Sequence, residues 1–375
     1  MQRFVRILIV LLLVSPLSAF ANHDEDVQMT EGTEVELTPD QERAKNMEYV
    51  RHHTKDSHDF GILSDESTNT HYGFPLPVIL WDGGLHVFLS SSFHHGEEVV
   101  ESNGKFFVLD YHDGKIYNAD EHGVILQEEI VDDKTGEISY ARIAPLDFSI
   151  TKNVVMIFLM CLVLFLVFRS IAKSYRTGLA PSGAAKFFEP IVLFIRDEIA
   201  IPNIGEKHYK KYMVYLLTVF FFIWFLNLVG MTPFGINVTG NLAVTAALAI
   251  ITFLITNTTA KKDYWLHIFW MPGVPIPMKI ILAPIELLGV IIKPFALMIR
   301  LYANMLAGHI VLGALIAAVF YFDVIAAKGA FVGLTFFLNL IELLVALLQA
   351  YIFTMLTALY FGAASEEHHH AEAHH

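Results

Sequence analysis

The run of residues 280–322 is almost entirely apolar, and it is much longer than the ~20 residues that a helix needs to cross a bilayer. Four further apolar runs occupy residues 154–168, 213–230, 242–259 and 330–361. Inside a bilayer every backbone polar group must find its partner within the protein, so such runs fold as helices. The sequence therefore predicts an all-α polytopic membrane protein with five transmembrane helices, in line with its mean hydropathy of +0.50.

The N-terminal part of the chain has a different character. Residues 1–21 have the pattern of a secretory signal peptide, with Arg3, Arg6, a short apolar core and a small-x-small ending. An uncleaved first membrane helix is the alternative interpretation. Residues 22–59 form an acid-rich leader that we expect to be flexible. Residues 60–150 contain short strand-like runs, and Asp113–Gly114 is a hairpin signal, so we predict a small β-rich extracytoplasmic domain.

Charge separates this region from the membrane domain, which we assign to residues 151–363. Residues 22–150 contain 27 acidic and 8 basic side chains, whereas residues 151–375 contain 15 basic and 11 acidic ones. Lysine and arginine follow the first and third spans, as expected for cytoplasmic loops. This pattern places the N-terminal domain outside and the His/Glu-rich tail, residues 364–375, in the cytoplasm. Nothing in it indicates nucleic-acid binding.

Two further segments have simpler interpretations. Residues 184–199 mix apolar and charged side chains in the way that is typical of a helix lying at the membrane interface. The histidines of the N-terminal domain have no recognisable metal-ligand spacing, so we predict no metal site and no cofactor and interpret them as surface residues; they are His94, His95, His112 and His122.

Arg300 lies near the middle of the 280–322 run, too far from either end to reach water easily. A central arginine costs about 2.5–3.5 kcal/mol on insertion scales, and ~10–17 kcal/mol in simulations of an isolated helix. Its guanidinium stays charged at every relevant pH. Since no acidic residue follows closely in its own helix, we expect a partner subunit to supply the carboxylate.

We expect the last two spans to form an antiparallel hairpin. If both helices are straight, their polar side chains form two pairs, which lie at two different depths in the membrane. Arg300 is then level with Gln349, and His309 is level with Glu342. Histidine titrates near neutral pH, so His309 and Glu342 are a pair that can pass protons on from water. Asn304 and Gln349 can hydrogen-bond near Arg300 without neutralising it, although Gln349 would serve equally as a helix-packing contact.

Two other function classes compete with proton transfer to a partner. A secondary transporter would show inverted repeats, and we find no such internal symmetry. A membrane metalloenzyme would need a ligand motif such as HExxH, which the sequence lacks. Glu286 and Lys293, seven residues apart on one helix face, are interpreted either as an interfacial pair or as part of a polar pathway.

The segments "KPFALMIRLYANMLAGHIVLG", "TPFGINVTGNLAVTAALA" and "LLQAYIFTMLTALYFGAASEEHH" resemble the subunit a family of the rotary F-type ATP synthase. The resemblance covers roughly residues 151–367. It implies that Arg300 faces the carboxylates of the rotating c-ring, with Asn304 and Gln349 beside it. It also implies that His309 and Glu342 line an external half-channel, with Asn241 a further candidate.

The same resemblance places Glu286 and Lys293 toward the cytoplasmic exit. It implies a bacterial inner membrane protein that works with the c-ring, b-type peripheral stalk subunits and other ATP synthase subunits, and that has no catalytic site of its own. Many bacterial members carry the acid and the histidine on the opposite helices from this chain, an exchange that keeps the chemistry of the pair. The N-terminal domain departs from the family, whose external N-terminus is short.

Overall fold

The computed structural model describes residues 56–65, 70–96, 98–110, 113–131, 138–176, 183–232, 236–271, 274–322 and 324–365. The predicted signal peptide, most of the predicted leader and most of the C-terminal tail lie outside these residues. The described residues form two compact units. We call them the sheet unit, which comprises residues 56–159 and 236–237, and the helical unit, which comprises residues 160–232 and 238–365.

The sheet unit contains ten short strands in four antiparallel sheets, with the orders β1-β2, β10-β3-β4, β5-β6-β7 and β8-β9. The strands are β1 (Asp59–Asp65), β2 (Thr70–Pro75), β3 (Pro77–Trp81), β4 (Leu85–Leu89), β5 (Val100–Ser102), β6 (Lys105–Leu109), β7 (Ile116–Ala119), β8 (Gln127–Val131), β9 (Ile138–Arg142) and β10 (Leu146–Asp147). A 3₁₀ helix, Ser90–Gly96, follows β4. The short strands of the prediction are confirmed.

The core of the sheet unit is built by alternate residues of its strands. Val78 and Leu80 of β3 point inward and are fully buried against Phe93 and Phe107. The hairpin signal is also confirmed, because β6 and β7 pair in antiparallel register. The turn between them needs a positive φ, and Gly114 supplies it at +73°.

The helical unit contains eight α-helices, the first of which begins in the sheet unit. They are α1 (Lys152–Arg176), α2 (Ala184–Phe194), α3 (Ile201–Ile204), α4 (Tyr209–Gly230), α5 (Leu242–Thr259), α6 (Lys262–Phe269), α7 (Ile276–Tyr321) and α8 (Ile325–Ser365). Five of these are long and apolar enough to cross a membrane: α1, α4, α5, α7 and α8. The five predicted spans are therefore confirmed as helices, and the protein is a multi-pass membrane protein. The first turns of α1 belong to the sheet unit.

Helix α8 is the central element of the helical unit, because it packs against both α4 and α7, while α5 covers another side of α7. Phenylalanine rings fix α1 and α2 to α4: Phe188 lies 5.9 Å from Phe168 and 5.5 Å from Phe221, measured between ring centroids. Gly362 of α8 allows a close approach, since a Cβ there would lie 3.0 Å from the carbonyl carbon of Asn203.

The segment expected at the membrane interface is helical, with a π-helical turn, Ile195–Ala200, between α2 and α3. Ile195 and Ile199 are fully buried, whereas Arg196 and Asp197 form an exposed ion pair of 2.7 Å. The segment therefore has the apolar and polar sides that the sequence predicted.

Candidate functional site

Arg300 lies on an exposed side of α7. Within the described ranges it has no ion-pair partner. Ala296, Ala303 and Ala307 lie on the same side of the helix, four residues before and three and seven residues after Arg300, and all three are exposed. Small side chains allow another helix to approach closely. The surface around Arg300 therefore leaves room for another helix to approach closely.

One turn further along α7, Asn304 is joined to α8. Its side-chain Nδ2 donates a hydrogen bond of 2.8 Å to Oε1 of Gln349. Gln349 is only 4% exposed. Gln349 therefore reaches α7 at Asn304, one helical turn from Arg300, and the expected level of Gln349 with Arg300 stays a prediction.

Glu342 of α8 lies directly against Gly308 of α7. A Cβ at Gly308 would meet the Glu342 carboxyl group, with Cδ at 2.9 Å. Both carboxylate oxygens are buried, and in the described part of the chain they accept no hydrogen bond. Nε2 of the adjacent His309 is buried as well. The expected level of His309 with Glu342 is therefore correct to within one residue.

Arg300 and His309 face different surroundings, as the nine-residue spacing predicts. The Arg300 side chain is exposed, while the imidazole Nε2 of His309 is enclosed between helices. The site thus has one outward cation and one inward group that can titrate.

A narrow crevice, which we call the polar crevice, lies where α4, α7 and α8 meet, beside Asn304 and Glu342. Its polar lining consists of Asn227, Asn304, Glu342 and Gln349, and apolar side chains of α4, α7 and α8 complete it. Sequence reasoning missed Asn227, which is 3% exposed and accepts a hydrogen bond of 2.7 Å from Thr239 Oγ1. An asparagine inside the otherwise apolar 213–230 run was the available signal.

A second crevice lies elsewhere in the helical unit, between α5, α6, α7 and α8. Lys293 lines it together with Asn257, Tyr264 and Tyr360, and the Lys293 Nζ lies 5.5 Å from the centroid of the Tyr360 ring. Burial, and secondly the negative charge of Glu286, raise the pKa of Tyr264. Among the described residues Glu286 and Lys293 form no ion pair with each other.

The remaining candidates lie apart from the polar crevice. Asn241 caps the N-terminus of α5, where its Oδ1 accepts a hydrogen bond of 2.9 Å from the Ala243 N–H. His94 pairs with Glu98 at 2.8 Å on the surface. Over the described ranges no three His, Cys, Asp or Glu side chains are grouped as metal ligands.

In comparison with known proteins, each of the two parts of the chain matches a family model. A family described as "ATP synthase A chain" matches residues 154–362. A second family, described as a domain of unknown function (DUF8433), matches residues 49–148. The second match ends just before α1.

Named relatives match the same region. "ATP synthase subunit a" of Myxococcus xanthus is 44% identical over 235 residues, which cover 61% of this chain and 77% of the relative. The protein of the same name from Chloroherpeton thalassium is 43% identical, over 61% of this chain and 70% of the relative. "ATP synthase subunit a 2" of Chlorobaculum tepidum is 41% identical, over 67% and 75%.

Proposed function

This chain belongs to the ATP synthase A chain family, and on that premise we propose that it is the proton-translocating stator subunit of an F-type ATP synthase. In this role it forms two aqueous half-channels against a ring of c subunits and couples proton flow to rotation. It supplies no catalytic site and binds no cofactor. Its partners are the c-ring, b-type peripheral stalk subunits and the other subunits of the complex.

One observation carries this proposal: Arg300 is an exposed guanidinium on a membrane-spanning helix, without an ion-pair partner in the described residues. An isolated arginine in the bilayer is costly, so its position calls for an acid from outside the chain. The exposed alanines beside it leave room for a helix that carries this acid. A c-ring carboxylate meets both requirements.

The polar crevice supports a route for protons to that carboxylate. We assign His309 and Glu342 to the external half-channel, with Asn227, Asn304 and Gln349 as hydrogen-bonding neighbours on the way to the Arg300 face. A proton that arrives neutralises the passing c-ring carboxylate, which can then enter lipid. Arg300 attracts the ionised carboxylate and separates this path from the other.

The second crevice supports a route on the other side of Arg300. Lys293 lines it and Glu286 acts electrostatically on Tyr264, one of its lining residues. We assign this crevice to the cytoplasmic exit. Asn241, which caps α5, is assigned a structural role at the edge of the external half-channel.

The proposed topology follows from the distribution of charge. We place the protein in a bacterial inner membrane, with residues 1–21 as a signal peptide, the sheet unit in the periplasm and the C-terminus in the cytoplasm. The basic residues between Arg169, near the end of α1, and Lys211, near the start of α4, then lie on the cytoplasmic side.

Cysteine cross-linking tests the proposal at the Arg300 face. The single native cysteine, Cys161, is replaced by serine, and Ala303→Cys is combined with a cysteine placed beside the carboxylate of the c subunit. We expect a cross-link in the assembled complex. Phe158→Cys, which is also exposed but lies on α1, is the matched control and should give none. Equal yields from both positions, or no product from Ala303→Cys, would reject the proposed face.

A further inference from the structure

The three-stranded sheet β10-β3-β4 buries apolar residues on its inner side and exposes others on its outer side. Its inner side contributes Val78 and Leu80 to the core of the sheet unit. On the outer side, β3 and β4 form three cross-strand pairs without a polar residue: Trp81–Leu85, Ile79–Val87 and Pro77–Leu89. Residues directly opposite in antiparallel strands share one side of the sheet. A solvated side would instead carry polar residues.

β10 and the residues after it extend these pairs to three rows of three. Leu146 pairs with Trp81 in β3. The Phe148 and Ile150 N–H groups then donate to the next carbonyls of β3, at 2.8 and 3.1 Å. We call this three-by-three set the outer apolar face. Six of its nine side chains are between 50% and 65% exposed. These residues are contiguous, whereas the exposed apolar residues of a soluble surface are usually scattered singly.

The outer apolar face continues without a linker into the first membrane helix. Ile150 belongs to its last row, and α1 begins at Lys152. The junction is fixed by hydrogen bonds to the segment before β1: the Lys152 N–H donates to the Ser57 carbonyl at 3.0 Å, and Thr151 Oγ1 donates to Asp56 Oδ2 at 2.9 Å. The Asp56 carboxylate also accepts from the Asn153 N–H, which suits a helix N-terminus.

We propose that the outer apolar face rests on the lipid bilayer at the end of α1, with its side chains in the boundary between headgroups and acyl chains. The chain from Leu146 to the start of α1 can span at most ~20 Å, so the whole face is held near the membrane surface. Its rows combine aliphatic residues with Trp81 and Phe148, and aromatic side chains are enriched at this depth.

The charge of the N-terminal region indicates which force would hold the outer apolar face on the bilayer. Residues 22–150 are strongly acidic, with 27 acidic and 8 basic side chains, so an anionic lipid surface repels this region overall. The attachment therefore depends on apolar insertion, and salt should weaken it little, unlike the binding of polybasic segments. This inference needs only α1 as a membrane helix, and it holds or fails independently of the proposed function.

Depth-dependent fluorescence quenching tests the contact in the full chain. In the Cys161→Ser background, Val87→Cys is labelled with an environment-sensitive fluorophore and the protein is reconstituted in liposomes. Glu121→Cys, in an exposed turn of the same unit, is the matched control. We expect doxyl-labelled lipids to quench the probe at position 87 several-fold more than the control probe, at low and at high salt. Aqueous iodide should quench the control probe preferentially.

A second probe, on Leu146→Cys, must behave in the same way, because it lies in another row of the face. Two results would overturn the proposal. Iodide quenching at position 87 equal to that of the control would show a solvated face. Protection of position 87 from both quenchers would show that a protein, either another subunit or a second copy of this chain, covers it.

Discussion

The side-chain amide of Asn304 donates a 2.8 Å hydrogen bond to Gln349, and this bond joins α7 and α8, the two longest described helices, one turn from Arg300. Gln349 is buried, so this bond satisfies an amide that would otherwise be costly between membrane helices. Both amides are uncharged, and in the described part of the chain Arg300 has no ion-pair partner, so its charge is not neutralised there.

Breaking this hydrogen bond should destabilise the packing of α7 on α8. We expect Asn304→Leu and Gln349→Leu each to lower stability by about 1–3 kcal/mol, because each leaves one amide without its partner. The double variant should lose clearly less than the sum of the two. Thermal unfolding in detergent measures this coupling. Gln349→Leu combined with the distant Arg169→Ala should be additive, and additivity in both pairs would contradict the role of the bond.

Gly308→Ala should impair proton-driven ATP synthesis several-fold. The added Cβ would meet the carboxyl group of Glu342, so this group must move away from its place between α7 and α8. Gly333→Ala is the matched control, since nothing lies within 4 Å of a Cβ there. Both changes replace glycine with alanine, which favours the helix by about 1 kcal/mol. Helix propensity therefore cannot explain a difference in activity between the two variants. Equal activities of the two variants in inverted vesicles would argue against a positioned Glu342.

Arg300→Ala should abolish proton-driven ATP synthesis while the subunit still assembles. The reason is that no other fixed cation would hold the c-ring carboxylate ionised between the two crevices. ATP synthesis by reconstituted complexes, with assembly checked by subunit composition, provides the measurement. Arg169→Ala, the same change at an exposed position of α1, should retain activity. Normal synthesis by Arg300→Ala would refute the mechanism.

His309→Ala and Glu342→Gln should cause a milder loss that depends on pH. Each removes one titrating group from the proposed external half-channel, so proton delivery becomes limiting over part of the pH range. The pH profile of proton-driven synthesis, recorded for each variant beside the native complex, is the test. Profiles of unchanged shape would remove these residues from the uptake path.

The sheet unit should lose stability in acid through Asp147. Burial acts to raise the pKa of this carboxyl, but hydrogen bonds from His58 and Ser149 outweigh it and hold the pKa below its usual value. A carboxyl with a lowered pKa stabilises the fold above the unfolded value of ~4, and this contribution disappears as pH falls through the folded value. Hydrogen exchange of residues 146–150, corrected for intrinsic rates, should therefore rise below pH ~4.

Asp147→Asn should be less stable than the native chain at neutral pH and should show a flatter dependence on pH. His58 Nε2 lies 2.8 Å from the Asp147 carboxylate, and the amide replaces this charged acceptor with a neutral one. Glu121→Gln, at an exposed turn, should leave the exchange of these residues unchanged. If both variants matched the native chain, the His58–Asp147 pair would have no part in acid stability.

Much of the helical unit follows from the sequence, because a bilayer forces each long apolar run into a helix. The positions of Arg300 and His309 on opposite sides of α7 also follow, since helical periodicity fixes them. The level of Gln349 does not, because it depends on how α7 and α8 cross. Gln349 bonds to Asn304 and Glu342 lies against Gly308, and these contacts are defined only by the packed pair of helices.

The parts that could not be predicted depend on contacts between distant segments. Asn227 lines the polar crevice only because α4 packs on α8, and its Nδ2 lies 3.5 Å from the carbonyl of Ala346. In the sheet unit, β10 pairs with β3, although most of the N-terminal region separates the two strands in the sequence. No local sequence pattern predicts such a pairing, so the outer apolar face could not be predicted from the sequence.

The contacts of Asp56 with the start of α1 have a consequence for how the chain can be cut. Hydrogen bonds join residues 151–153 to Asp56 and Ser57, and residues 148–150 to β3, so the first turn of α1 is part of the sheet unit. A fragment of the sheet unit that ends before Thr151 would lose the bonds to Asp56 and Ser57.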